Sequence, residues 1–256
     1  MKLAIIGSTG LVGSQLAALA GARGHSVTGI SKESGVDVLA GTGLDDAFEG
    51  VDAIVDVIQS PNLEQQSSTE FFTTVAANVG RAATRAGVGR TTALSIIGVD
   101  RVAAAETDAG TGYDGYYKAK FAQEQATREH APAARVVRST QFHDIARQAI
   151  GWGRDGATTT VPDLLIQPLA VAAMVEVLLD VATGVRDGDL VEVAGPRAEQ
   201  LAVMSTAFAR RQRDDVRVIA GPAGEAVRDG ILLPGPGAVL VGPTFDEWLA
   251  AQPAPA

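Results

Sequence analysis

The chain has 256 residues, 46 % of them hydrophobic and 20 % charged, the balance of an ordinary globular protein with room for a sizeable core. A formal net charge of −9 argues against a general nucleic-acid binder, whose phosphate-facing surface must be basic. The absence of cysteine removes disulfides, thiol nucleophiles and Cys-ligated metals together. No apolar run is as long as a membrane span, and Met1 leads directly into a strand pattern with no basic leader region before it, so no membrane segment and a cytoplasmic location are expected.

Residues 3–6, Leu-Ala-Ile-Ile, form a short apolar run ended by glycine, the pattern of a strand buried on both faces of a parallel sheet. Helical spacing follows over 11–22, with Gly21 and Gly24 as the stop. Strands are expected at 26–30 and, briefly, at 36–39, then a short helix at 44–49 and a strand at 53–58. A long helix over 69–86, a strand at 92–97, a helix over 116–130 and a strand at 134–138 continue the alternation. The pattern predicts an α/β fold, a doubly wound parallel-sheet Rossmann fold. Beyond it come helices at 141–150, 170–182 and 200–213, strands at 190–193 and 216–219, a Gly/Pro-rich loop at 231–241 and a frayed tail at 252–256. No linker divides the chain. Residues 1–150 are therefore read as the Rossmann core and 151–256 as a small substrate-side lobe, not an independent domain.

Gly7-Ser-Thr-Gly10-Leu-Val-Gly13 lies between the first strand and the first helix. A dinucleotide pyrophosphate demands a sharp turn, a close backbone approach and tight strand–helix packing, and each favours a residue without Cβ. The helix N-terminus then offers free N–H groups and partial positive charge. Gly7, Ser8, Thr9, Gly10, Leu11, Val12 and Gly13 are thus the expected phosphate cradle, with Val57 and Ile58 at the end of a neighbouring strand also on the cofactor side. The spacing is G-x-x-G-x-x-G rather than G-x-G-x-x-G, so context carries the assignment, and a plain strand–helix turn is the alternative. The second strand ends Ile30-Ser31-Lys32, with no carboxylate before Glu33. Ser31 and Lys32 suit a 2′-phosphate, so NADP is expected ahead of NAD, the alternative being a solvated loop lysine.

Four segments then occur in order: Ile5-Ile-Gly7-Ser-Thr-Gly10-Leu-Val-Gly13, Leu94-Ser-Ile-Ile-Gly-Val-Asp-Arg101, Tyr116-Tyr-Lys-Ala-Lys120-Phe-Ala-Gln-Glu124 and Val137-Arg-Ser-Thr-Gln-Phe142. The set resembles the atypical short-chain dehydrogenase/reductases, in particular their NmrA-like, NAD(P)H-binding branch, over residues 1–168 and more weakly to 249. The resemblance implies a substrate pocket under the C-terminal lobe, but not one reaction, since some members are reductases and others are cofactor sensors without catalysis. It also implies a Tyr-x-x-x-Lys pair with an upstream serine. Tyr116 and Lys120, at i and i+4, share one helix face, and a lysine ammonium beside the phenol is expected to lower its pKa. Ser95 ends a strand on the ligand side and can hydrogen-bond the same substrate oxygen. Tyr113 and Tyr117 compete for the tyrosine role without a lysine four residues on, and Ser95 has a plain strand-end reading. Asn78 resembles the asparagine that supports the superfamily's active site, with helix packing as its alternative.

The chain departs from the pattern after 36–39, where many relatives carry an aspartate near the adenine; here none precedes Asp45, and backbone or Thr42 is left for that contact. Asp108-Ala-Gly-Thr-Gly112 is expected to form a mobile loop over the site. Gln141, Phe142, His143 and Gln167 are expected on the substrate side, His143 also reading as a buried histidine without chemistry. No histidine–carboxylate cluster has metal-ligand spacing. The expected activity is reduction of a small carbonyl, enone or quinone-like compound by NAD(P)H. The alternatives are a non-catalytic NAD(P) sensor bound to a regulatory protein, and an epimerase or dehydratase that recycles bound nicotinamide. The chain is expected to be a monomer or homodimer.

Overall fold

A computed structural model describes residues 1–106 and 113–253. The expected Asp108–Gly112 loop and residues 254–256 of the expected tail lie outside the described residues. The first part of the chain forms β1 (Lys2–Ile6), α1 (Leu11–Ala22), β2 (Ser26–Ile30), α2 (Leu44–Ala47), β3 (Ala53–Asp56), α3 (Gln65–Arg85), β4 (Arg90–Ile96), α4 (Val99–Ala104), α5 (Asp114–His130) and β5 (Ala134–Ser139). Then follow α6 (Ile145–Trp152), β6 (Arg154–Asp155), β7 (Thr158–Pro162), β8 (Leu165–Ile166), α7 (Val171–Thr183), β9 (Leu190–Ala194), β10 (Glu199–Gln200), α8 (Leu201–Arg211), β11 (Arg217–Gly221), α9 (Glu225–Arg228), β12 (Val239–Leu240) and α10 (Phe245–Ala251).

Among the described residues the main sheet has seven strands in the order β12-β9-β5-β4-β3-β1-β2, each pair parallel. This is the doubly wound α/β architecture of the Rossmann type. The interior strands read as continuous apolar runs because both faces are covered. Leu3, Ile5 and Val55 pack against α1 and α7 through Leu16, Met174 and Leu178. Ala4, Ile6 and Ile54 pack the other way, against Val75 and Val79 of α3. The chain leaves β1 outward to β2 and returns on the other side to β3, so a crevice opens at the carboxyl ends of β1 and β3, where such sheets bind ligands.

The short strand expected at 36–39 is absent. The Asp37 carboxylate accepts hydrogen bonds from the Leu39 and Ala40 amides at 2.9 and 3.0 Å, a local turn that outcompetes a four-residue strand. β2 is therefore the sheet edge, and only its last residue, Ile30, is buried. Residues 231–241, expected as loop, contribute β12, which extends the opposite edge. Residues 216–219 form a strand as expected, but β11 pairs with β7 in a separate three-stranded sheet.

The chain after residue 150 is not one contiguous lobe, because β9, β12 and α7 return to the main sheet. What remains packs around Leu164, Ile166, Leu201, Met204, Phe245 and Leu249. That core also takes in Val99 and Val102 of α4 and Tyr117 of α5, so the lobe sits against the carboxyl end of β4. Arg101 fastens it there, donating to the carbonyls of Ile231 and Leu233 at 2.9 and 2.6 Å.

Candidate functional site

Gly7 takes the left-handed conformation (φ +84°), which turns the chain off β1. Its amide and that of Ser8 donate to the Ile30 carbonyl at 2.9 and 3.1 Å, tying the turn to the end of β2. A Cβ on Gly7 would stand 3.2 Å from the Val57 carbonyl oxygen and 3.3 Å from the Ile58 nitrogen, so Val57 and Ile58 form the facing wall. A Cβ on Gly13 would overlap the Gly7 carbonyl oxygen and lie 2.8 Å from both the Gly7 carbonyl carbon and Ser8 Cα. Gly13 is thus what lets α1 close on the turn. Gly10 begins α1 in extended conformation, no side chain caps the helix, and its first turn carries no acid. Thr9, Gly10 and Leu11 are exposed; Val12 and Gly13 are buried beneath them. A turn that only a Cβ-free backbone can make, opening onto an uncapped helix start, fits a dinucleotide pyrophosphate.

Beyond β2 the chain turns tightly through Ser31–Ser34. The Ser31 hydroxyl donates to the Glu33 carboxylate at 3.1 Å and accepts from the Glu33 amide at 3.3 Å. The hydroxyl expected to address a 2′-phosphate is therefore engaged by an anion. Lys32 is exposed and in no ion pair among the described residues. Cation and carboxylate stand side by side at this turn, one suited to a 2′-phosphate, the other to a free 2′-hydroxyl.

α5 packs beside α3 on the face of β4 and β5, with Lys120, Gln123 and Glu124 buried along its inner side and Tyr116 half-buried. Lys120 is buried. Its ammonium donates to the Leu94 carbonyl at 2.8 Å and to Gln123 Oε1, and stands 4.7 Å from the centre of the Phe72 ring. Burial pulls its pKa down to about 8, against the carboxylates of Asp56 and Glu124, which raise it. Lys120 is thus anchored beside Ser95, whose buried hydroxyl has no hydrogen-bond partner among the described residues. Tyr116 departs from expectation. Its ring packs edge-on against Phe72, and burial pushes the phenol up to about 12 with no compensating ammonium. The lysine charge is spent on Leu94 and Gln123 instead of on the phenol.

Asn78 is a correction. Its amide donates to the Val38 and Leu39 carbonyls at 3.1 and 2.7 Å, and its oxygen accepts from Arg81 at 2.6 Å. It pins the 38–41 turn to α3, and no catalytic support follows from those contacts. His143 is another. It is fully buried, its Nε2 at 3.2 Å from the Pro243 carbonyl, its ring between Phe245 and Trp248. Burial lowers its pKa and keeps it neutral, so it is a core histidine and not a cleft group. Gln167 donates to the Gly195 carbonyl at 2.7 Å and holds two chain segments together. Phe142 bridges to Leu169 and packs into the core beside α7. Gln141 donates from Nε2 to the Tyr117 hydroxyl at 3.0 Å, and its Oε1, like His143 Nδ1, is buried without a partner among the described residues.

Sequence reasoning passed over four residues here. Asp56 Oδ1 accepts from the Ile58 amide and Oδ2 from Gln123 Nε2, both at 3.0 Å. Arg138 on β5 grips Glu124 with two hydrogen bonds of 2.8 Å. The signals were present: a carboxylate ending the apolar run Ala-Ile-Val-Asp56, an arginine inside Val-Val-Arg138, and polar residues three and four positions after Lys120. Among the described residues no group of three or more His, Asp or Glu is arranged to hold a metal ion, and no helix is long and apolar enough to cross a membrane.

No protein-family model matches the sequence, and no curated protein matches it. Solved structures do match in shape. A dTDP-4-dehydrorhamnose reductase from Bacillus anthracis, in complex with NADP, superposes with TM-score 0.70 at 15 % identity, covering 97 % of each chain. A short-chain dehydrogenase/reductase superfamily protein from Agrobacterium tumefaciens with bound NAD gives 0.68 at 16 %, covering 98 % of this chain and 95 % of the other. A UDP-N-acetylglucosamine 4-epimerase from Bacillus cereus gives 0.67 at 13 %, covering 97 % and 94 %. At these identities the shared property is the fold.

Proposed function

We propose that the chain is an NAD(P)-binding oxidoreductase of the short-chain dehydrogenase/reductase type, NmrA-like, reducing a small carbonyl, enone or quinone-like substrate. The observation that carries this reading is one of placement. The uncapped glycine turn follows β1, and Ser95 and the Lys120 ammonium stand near the end of β4, both at the carboxyl end of one parallel sheet. The residues that would hold the dinucleotide are Gly7, Ser8, Thr9, Gly10, Leu11, Val12 and Gly13 at the phosphates, Val57 and Ile58 as the facing wall, Ser31 and Lys32 at the adenosine ribose, and Lys120 at the other end. When bound, the nicotinamide supplies the hydride. Tyr116, kept protonated by burial, is suited to give its proton to a substrate oxygen that is becoming an alkoxide, a stronger base than the phenolate left behind. Ser95, with its hydroxyl unengaged, orients that oxygen.

Tyr116→Phe is expected to lower kcat at least a hundredfold in a panel of aldehydes, ketones and quinones, with NADPH affinity unchanged. Full turnover in that variant removes the catalytic assignment. A non-catalytic NAD(P) sensor is the second reading, and the commitment of the Lys120 ammonium to internal acceptors favours it. Dinucleotide binding without turnover anywhere in the panel selects it. An epimerase is distinguished by product formation without net NAD(P)H consumption.

Cofactor choice rests on the Ser31–Glu33 turn. Lys32→Ala is expected to weaken NADPH binding about fivefold while leaving NADH unaffected, the scale of one exposed charge-assisted contact. Glu33→Gln is expected to move the preference toward NADPH. Dissociation constants for both cofactors, measured in all three proteins, decide it; unaltered ratios throughout remove the 2′-phosphate assignment.

A further inference from the structure

We infer that Asp56 and Gln123 are positioning residues for Lys120: through the Gln123 amide, the Asp56 carboxylate fixes where the lysine ammonium stands at the end of β4 and ties it to the Val57–Ile58 wall of the glycine cradle. The inference rests on the reading of that cradle and of Lys120 given above.

The connection is unbroken. Ile58 faces Gly7 across the crevice, and its amide donates to Asp56 Oδ1 at 3.0 Å. The other carboxylate oxygen accepts from Gln123 Nε2 at 3.0 Å, and Gln123 Oε1 accepts from the Lys120 ammonium. The amide is polarised in one sense only. Its NH2 must face the carboxylate and its oxygen the ammonium; reversed, two donors and two acceptors would collide. Gln123 therefore transmits position as well as filling space. Asp56, Lys120 and Gln123 are all buried. A buried polar chain of this kind stabilises no better than apolar side chains of the same volume, so its distinctive contribution is a fixed location for the charge.

The charged groups around Lys120 single out Asp56. Glu124, on α5, is gripped by Arg138 from β5 at 2.8 Å, and Arg138 also holds Asp100 of α4 at 2.8 Å. From α3, Phe72 offers only its ring face. From α5, Tyr116 is a neutral phenol. Asp56 is the carboxylate facing the lysine with no cation of its own besides it. The ammonium donates to the Leu94 carbonyl and to Gln123 and stands over the Phe72 ring, which fixes its location from three sides.

The test reads Lys120 directly in the ligand-free full chain. The protein has four lysines, so the Lys120 side-chain NMR signal is assigned as the one missing from Lys120→Arg. Its titration midpoint is then followed in the wild type, Asp56→Asn and Gln123→Met. Removing the nearby opposite charge in Asp56→Asn is expected to lower the midpoint by about one pH unit. Gln123→Met retains the Asp56 charge and nearly the volume of the side chain. As an adapter, Gln123 is required for the lysine's position, so this variant too is expected to shift the midpoint and to weaken NADPH binding several-fold. If Gln123 is merely packed there, methionine leaves both readouts at their wild-type values. Thermal melts establish that each variant is folded. An unmoved midpoint in either folded variant overturns the inference. A wild type that binds neither NADPH nor NADH overturns the functional reading instead, and the lysine titration remains a separate result.

Discussion

Gly13→Ala is expected to cut dinucleotide affinity at least tenfold and to lower the melting temperature, while Gly21→Ala in the same helix does neither. The added methyl at position 13 meets only backbone, overlapping the Gly7 carbonyl oxygen and lying 2.8 Å from the Gly7 carbonyl carbon and Ser8 Cα. No rotamer change relieves such a clash, so α1 must back away from the turn. Overpacking of this kind costs about 1–3 kcal/mol, and each 1.4 kcal/mol lost from binding is roughly tenfold in affinity. The displacement falls where the unpaired helix N–H groups must converge on the phosphates. At Gly21 a Cβ meets nothing within 4 Å, and a helical glycine replaced by alanine gains up to about 1 kcal/mol. Isothermal titration with NADPH and NADH, together with melts of both variants, separates the cases. If Gly13→Ala melts early yet binds as the wild type does, the turn is a packing device and not a phosphate cradle.

How much was legible in the sequence varied with how local the cause was. β1, α1 and β2 were readable because a fully apolar strand, a glycine turn and a helix stop are each set by neighbouring residues. The strand expected at Val36–Leu39 failed because the Asp37 carboxylate accepts from the backbone amides two and three residues on, a competitor that hydrophobicity does not register. α10 was overlooked although its start carries a capping box: the Thr244 hydroxyl accepts from the Glu247 amide, and the Glu247 carboxylate accepts from the Thr244 amide. The small strands β6, β8 and β10 have two residues each, too few for any periodicity. In the site, the resemblance pointed to Ser95, Tyr116 and Lys120, but it gave no direction for the lysine. That direction depends on Asp56, distant in sequence, and on Gln123, which spacing from Lys120 would have nominated. For His143 the buried reading is the one that matches: Phe245 and Trp248, a hundred residues later, enclose it.

Glu124→Ala is expected to destabilise the protein by about 3–5 kcal/mol, the usual cost of leaving one partner of a buried ion pair uncompensated. Glu124 and Arg138 are both nearly inaccessible, their side chains 1 % and 4 % exposed, and they meet through two parallel hydrogen bonds of 2.8 Å. With Glu124 gone, the guanidinium keeps only Asp100, whose side chain is 45 % exposed and screened by water. Asp100→Ala is therefore expected to cost less than about 1 kcal/mol. Replacing both buried partners together, as Glu124→Leu with Arg138→Met, removes the charges with their desolvation and should return most of the loss. Urea unfolding of the three variants gives the comparison. The pair also has a bearing on the site. Arg138 is the register partner of Ser95 on the neighbouring strand, and Glu124 lies one turn after Lys120 on α5. The ion pair thus clamps the helix carrying Tyr116 and Lys120 onto the strand beside the one carrying Ser95. The doubly apolar variant separates clamp from charge: restored stability with activity still reduced means the pair sets the angle of α5 as well as its adherence. A Glu124→Ala cost no greater than that of Asp100→Ala would mean that α5 is held by its apolar contacts alone.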